Sequence, residues 1–301
     1  MESAELIGVV SALTASLAWA CSTIIVKSLT ARLDYVALNT FRLWVASFLL
    51  LILIFVSGRW LQVFETPLTS LLLVIASGVV AVAVGDTVYI KSLSLVDASK
   101  AFTIAQCSFP VMTAFVAISF LGETLNWRIV LGAGLVLSGI YFVSRKKQAP
   151  AAGRVNVDAR GVMLALTAAA IWTSAAITLK IGVTQMDPIF AAGIRIPAAA
   201  LVLTPFFMMS RRSGGGTPVP VRLEARSMLM AAAAGILSYG VAAVGYVSAI
   251  QSIGAARTVL ITTTSPILVL PFSILLLKER PSATNAAGIF TCVLGILFII
   301  V

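Results

Sequence analysis

Apolar residues in this chain come in long unbroken blocks, separated by short polar stretches. Ten blocks of about 18 to 25 residues can be marked, at roughly 6–26, 35–56, 68–90, 98–120, 127–144, 160–179, 188–209, 227–249, 255–276 and 282–301. At ~1.5 Å of rise per residue, each is long enough to cross a hydrocarbon layer of ~30 Å as a helix. Lipid offers no partner to an unpaired backbone amide, so the spanning choices are helices and closed barrels. The blocks lack the alternation that barrel strands require. The pattern therefore predicts an all-α polytopic membrane protein of ten transmembrane helices.

Composition supports this and removes other classes. Of 301 residues, 60% are hydrophobic and 11% charged, and the mean hydropathy is +1.06; a soluble surface of this size needs more charge. The net charge of +10 would suggest nucleic acid in a soluble chain, but most basic residues here lie in short loops between blocks. The expected partners are the lipid bilayer and a small-molecule substrate, with no nucleic acid. A monomer is the expected state and a homodimer the alternative. Leu6 opens the first block behind Glu2 and Glu5, without the basic start of a cleavable signal peptide. Cys21, Cys107 and Cys292 sit singly inside apolar blocks, where cysteine acts as a small hydrophobe. The chain has no histidine, which removes Ser-His catalysis, HExxH metal sites and histidine proton relays. No enzyme activity, metal or cofactor is expected.

The chain also repeats itself. AWACSTIIVK, ending at Lys27, returns as IWTSAAITLK, ending at Lys180. Gly8, Trp19, Lys27, Asp34 and Arg42 recur 153 positions later as Gly161, Trp172, Lys180, Asp187 and Arg195. Pro110, Glu123, Gly132 and Gly139 recur 156 positions later as Pro266, Glu279, Gly288 and Gly295, the shift arising in the longer loop at 210–226. This predicts a five-helix repeat at 1–144, a basic linker at 145–160 and a second five-helix repeat at 161–301. An odd number of crossings per repeat inverts the second copy, the architecture of secondary transporters with a midplane site between repeats. Basic residues number 15 on the side that holds the linker and 4 on the other (Arg59, Arg128, Lys180 and Arg257). The positive-inside rule then places the linker in the cytoplasm and both termini outside.

Several polar residues within the blocks invite functional readings. Asp34 and Asp187 precede helices and read as N-caps, Asp187 being followed by Pro188. Glu123 and Glu279 lie in tight turns and read as caps or partners of nearby basic residues. Gly132 with Gly139, and Gly288 with Gly295, read as surfaces for close helix packing. Arg42 and Arg195 lie about seven residues into their helices, ~10 Å along the axis. A charge at that depth either snorkels, pairs, or contacts a gate or substrate. Lys27 and Lys180, at helix ends, are anchors or gate residues. Asp86 is an acid inside a block with no counterpart in the second repeat, hence a proton or cation site or a partner of Lys91 or Lys100. Ser99, Thr103, Gln106 and Pro110 share one helix face, as do Thr258, Thr262 and Ser265, and these faces read as cavity linings, with Pro110 and Pro266 as kinks. Trp19, Trp172 and Tyr239 complete the candidate cavity walls.

Taken with AW and IW followed by Lys27 and Lys180, the arginines of NTFRL and AGIRI, and the paired endings SFPVMTAFVAISFLGETLNW and TSPILVLPFSILLLKERPSATN, the chain resembles the EamA-like family of the drug/metabolite transporter superfamily. The resemblance implies ten helices in two inverted repeats, and export of amino acids, related metabolites or drugs across a bacterial inner membrane. Two departures stand out. Ala20 and Thr173 replace the glycine that often follows the tryptophan, and many relatives keep both termini in the cytoplasm. The basic residues at helix ends favour substrates that carry a carboxylate. The expected function is export of amino acids or related carboxylates by alternating access. The alternatives are antiport of phosphorylated or nucleotide-sugar metabolites, and export of cationic drugs through Asp86.

Overall fold

A computed structural model describes residues 3–29, 35–93, 98–124, 126–144, 159–212 and 225–264, with 287–288, 290–291, 294–295 and 297–298. Among the described residues every regular element is helical. The elements follow the apolar blocks closely: α1 (Ser3–Leu29), α2 (Tyr35–Val56), α3 (Leu68–Gly78), α4 (Asp86–Leu93), α5 (Ala98–Leu121), α6 (Trp127–Ser144), α7 (Ala159–Gly182), α8 (Pro188–Arg212), α9 (Ala225–Gly235) and α10 (Ala242–Thr262). A helical turn at residues 59–65 joins α2 to α3.

Six helical stretches are long and apolar enough to cross a membrane: Ser3–Ser22, Val36–Val56, Leu68–Tyr89, Ala159–Gly182, Pro188–Met209 and Ala225–Thr262. Shorter apolar stretches run over Ser108–Leu121 and Trp127–Gly139. Most of the tenth block, and the ninth beyond residue 264, lie outside the described residues.

Two features depart from the simple block pattern. The third block is not one α-helix: α3 gives way to a π-helical segment, Val79–Gly85, before α4. The same happens between α9 and α10, where Ile236–Val241 is π-helical. The eighth and ninth blocks also meet without a loop. They run into each other across one break at Gly254 (φ 82°, ψ 170°), a backbone conformation that only glycine adopts without strain.

The helices gather into two compact units, each drawing on both halves of the chain: residues 1–79 with 178–253, and 80–177 with 254–301. In the first unit α2 packs on α8 and α9, and α1 on α9. These seams are built from small side chains. Ala12, Ala15 and Ala18 on α1 and Ala191, Ala192 and Ala199 on α8 are buried, while Phe48, Phe55, Val56 and Phe206 are exposed. Water cannot drive helix association within lipid, so close approach of backbones over small residues supplies the packing. In the second unit α6 meets the segment near Gly295, which lies against the Gly132 carbonyl (2.6 Å to a Cβ position). Of the small-residue surfaces expected on these helices, Gly132 and Gly295 therefore pack closely.

Helix ends follow local chemistry. Asp187 caps α8 as expected, its Oδ1 accepting from the Ile189 N–H (2.9 Å) and the Phe190 N–H (3.2 Å) and pairing with Arg59 Nε (2.9 Å). Glu123 is a cap as well, but of a distant helix. Its carboxylate accepts from the Ala255 N–H (2.8 Å) and the Ala256 N–H (3.1 Å), just beyond the Gly254 break. Asp34 and Glu279 lie outside the described residues.

Candidate functional site

Each unit contains one tryptophan of the duplicated motif, and each tryptophan meets a tyrosine from the other repeat. In the first unit Trp19 on α1 stands 5.5 Å from Tyr246 on α10, ring centroid to centroid, with planes at 56°. In the second, Trp172 on α7 stands 5.3 Å from Tyr89 on α4, with planes at 50°. The tyrosines are themselves equivalent, 246 − 89 = 157 positions apart, and the offset also relates Gly78 to Gly235 and the π-helical starts Val79 and Ile236. The pairs are thus exchanged between repeats. Contacts of this geometry contribute roughly 0.5–1.5 kcal/mol beyond burial.

The indole N–H groups find different partners. Trp19 Nε1 donates to the Ser238 carbonyl (3.2 Å), within the second π-helical segment. Trp172 Nε1 donates to Asp86 Oδ1 (3.0 Å), the residue that follows the first one. The position equivalent to Asp86 is Ala243, so a backbone carbonyl serves in one unit and a carboxylate in the other. Around Trp172 the second unit adds Phe109 (6.0 Å) and a hydroxyl pair, Thr113 and Thr173 (3.2 Å), both directed at the Phe109 carbonyl.

Arg42 lies inside α2 in the first unit. Its Nη2 donates to Ser238 Oγ (2.7 Å) and Ser22 Oγ (3.1 Å). Both serines donate their own hydroxyl hydrogens to one carbonyl, that of Ala234 (2.7 and 2.9 Å). Their lone pairs are therefore turned toward the guanidinium. The Arg42 Cζ also sits 5.0 Å from the centre of the Tyr239 ring, whose hydroxyl donates to Asn39 Oδ1 (2.7 Å). Below it, the Arg42 backbone packs on Gly235, where a Cβ would stand 2.5 Å from the Arg42 carbonyl oxygen and 3.0 Å from its Cα.

Arg195, the repeat equivalent, is built differently. It is 7% exposed, and its Nε donates to Ser77 Oγ (3.0 Å). Its backbone and side chain press on Gly78, the last α-helical residue before the π-helical segment. Both arginines therefore brace a helix immediately ahead of a π-helical stretch. Such stretches, with their i→i+5 hydrogen bonding, recur at functional sites.

Lys180 Nζ donates to the Ile250 carbonyl (3.0 Å), four residues before the Gly254 break, where a cation stabilises the closing turn of a helix. Gln251 reinforces that corner with bonds to the Val183 and Met186 carbonyls (both 2.6 Å). Thr258 and Thr262 are buried, and their hydroxyls donate to carbonyls of their own helix, Gly254 (2.6 Å) and Thr258 (2.9 Å). Pro110 is buried, and α5 runs through it. The side chains of Lys27, Ser99, Lys100, Thr103, Gln106 and Cys107, and all of Ser265 and Pro266, lie outside the described residues. Nothing in the residue pattern alone marks Ser22, Ser238 and Asn39, or the pairing of Tyr89 and Tyr246. The tyrosines alone left a trace there, as the related strings YIKS and YVSA.

The model of the EamA-like transporter family matches residues 6–145 and again 159–301. The chain is 28% identical over 162 residues to the uncharacterized transporter YvbV of Bacillus subtilis, covering 51% of this chain and 50% of that one. It is 32% identical over 151 residues to an uncharacterized transporter of Clostridium kluyveri, covering 48% and 47%. The chain thus aligns with about half the length of these two relatives. An uncharacterized transporter of Archaeoglobus fulgidus is 27% identical over 233 residues, covering 77% and 76%. A protein of known crystal structure superposes with a TM-score of 0.78 over 99% of this chain and 96% of its own, at 19% identity, a likeness of fold alone.

Proposed function

The chain belongs to the EamA-like transporter family, and from that premise we propose that it exports small carboxylate metabolites, amino acids foremost, across the bacterial inner membrane by alternating access. The observation that carries the reading is the exchange of Trp–Tyr pairs between repeats. Trp19 of the first repeat is joined to Tyr246 of the second, and Trp172 of the second to Tyr89 of the first. Each pair sits beside a π-helical segment braced by an arginine. In this reading the segments are the bending points, and the two repeats, 1–144 and 161–301 joined by the linker 145–160, move as inverted halves.

Ten crossings with alternating direction belong to this reading, and the described helix ends that meet agree with the alternation. Arg59 pairs with Asp187, Glu123 with the backbone of Ala255 and Ala256, and Lys180 with Ile250. Each of these contacts joins two ends that the charge pattern assigns to the same side. The linker is then cytoplasmic and both termini outside; a reporter fused after Val301 that is active in the cytoplasm overturns this orientation.

A second reading, export of cationic compounds, draws on Asp86, a carboxylate held at Trp172. Uptake of a substrate panel into proteoliposomes, with and without a pH gradient, separates the two. Saturable flux of amino acids supports the first reading. Flux of lipophilic cations without competition by amino acids overturns it.

A further inference from the structure

Arg42 and Arg195 are equivalent in the repeat but not in chemistry. Arg195 is buried against Ser77. Arg42 is half-buried, and its Nε lies buried with no hydrogen-bond partner. Among the described residues its partners are two serine oxygens and the face of Tyr239, and none of them carries a negative charge. A guanidinium keeps its proton at any physiological pH, so this span holds a full positive charge that the described residues around it orient without neutralising. A charge within a span is stable only against protein, water or an anion. The two serines are also locked. Each donates to the Ala234 carbonyl, so neither rotates to satisfy another group while Arg42 is held.

We propose that Arg42 is an anion-binding residue that takes the carboxylate of the transported substrate, with Ser22 and Ser238 fixing the guanidinium and Trp19 and Tyr239 flanking the site. This deepens the export of carboxylates proposed above and rests on it. One formal positive charge matches a monoanion, whereas a phosphate monoester would leave a second negative charge uncompensated. Asn39 lies three residues before Arg42 on the same helix and receives the Tyr239 hydroxyl. Introducing a carboxylate there supplies an internal competitor for the ligand without removing the arginine.

The test is a titration of purified full-length protein in detergent, followed by tryptophan fluorescence, with butyrate, L-2-aminobutyrate, butylamine and butyl phosphate as probes. The two carboxylates are expected to bind saturably and butylamine not to. Arg42→Gln should weaken carboxylate binding at least tenfold, with partial recovery in Arg42→Lys. Asn39→Asp, which keeps an acceptor for Tyr239, should weaken it about tenfold while leaving the size-exclusion profile unchanged. The proposal is overturned if no carboxylate binds, if Arg42→Gln and Asn39→Asp bind as wild type does, or if butyl phosphate binds more than tenfold tighter than butyrate. Arg42-dependent binding without any flux in proteoliposomes leaves the site standing and overturns the export reading. Saturable amino-acid flux with an unchanged KM in Arg42→Gln does the reverse.

Discussion

The contact between Glu123 and the break at Gly254 can be tested as a coupled pair. Gly254 holds φ 82°, ψ 170°, a region in which a side-chain-bearing residue costs roughly 1–3 kcal/mol. A Cβ at this position would also stand 2.7 Å from Glu123 Oε1, 2.8 Å from its Cδ and 2.9 Å from Oε2. Gly254→Ala therefore does two things: it strains the backbone and pushes the carboxylate off the Ala255 and Ala256 N–H groups. Loss of such a cap costs roughly 0.5–2 kcal/mol, so the substitution should cost about 1.5–5 kcal/mol. Glu123→Ala removes the cap alone, at roughly 0.5–2 kcal/mol. Once the carboxylate is absent, Gly254→Ala has only strain left to impose. The double mutant should then be more stable than the sum of the singles predicts, by about 0.5–2 kcal/mol. Reversible unfolding in mixed micelles of increasing SDS fraction, followed by tryptophan fluorescence, measures all four corners of the cycle. Additivity within ~0.5 kcal/mol would refute the reasoning. It would mean that the carboxylate can swing aside and still cap the helix, or that the cap contributes nothing.

Other outcomes follow from the same contacts. At the start of α8, Asp187→Ala removes both the cap and the Arg59 pair and should cost roughly 1–2 kcal/mol. Arg59→Gln removes only a partly exposed ion pair and should cost under about 1 kcal/mol; equal costs in the SDS titration would show that the pair, not the cap, matters. Gly235→Ala drives a methyl into the Arg42 backbone, which cannot rotate away, so a loss of roughly 1–3 kcal/mol is expected, and an unaltered melting profile would show that α2 and α9 can separate freely. Asp86→Asn keeps an acceptor for Trp172 and should fold as well as wild type, whereas Asp86→Leu takes this acceptor from the indole N–H at a cost of roughly 1–3 kcal/mol. Indistinguishable thermal stabilities for these two variants would refute the role of that bond. Lys180→Ala should loosen the corner at Ile250 and add to the effect of Gln251→Ala, and hydrogen exchange at residues 246–253 should rise in the double variant beyond either single one.

Much of the architecture was legible in the chain because lipid imposes a simple rule. A helix must be apolar over the width of the bilayer, so α2 and α6 appear at the residues the hydropathy blocks marked. The Asp187 cap was legible for a similar reason: its geometry is local, spanning three residues. The Glu123 cap was only half legible. Its acidic character announced a cap, but its target lies 132 residues away, and no local rule reaches that far. Asp86 shows the same limit. Sequence marked it as an acid out of place, and folding supplied Trp172 as its partner, 86 positions distant. The π-helical segments left no composition of their own, since VVAVAVG and ILSYGV read as ordinary apolar helix.

By itself, then, the sequence determined what each segment is: an apolar helix, a repeated motif, a basic loop, a charge set too deep to ignore. These are properties of residue type and spacing, and the bilayer enforces them one helix at a time. Only the tertiary structure decided which residues answer one another. It exchanged the tryptophans between repeats, placed Arg42 between two serines whose protons are already committed, and gave Arg195 a buried seat instead. Two arginines with the same repeat position diverged because a charge takes its role from the acceptors around it, and those acceptors come from other helices, Ser238 lying 196 positions from Arg42 and Ser77 118 positions from Arg195.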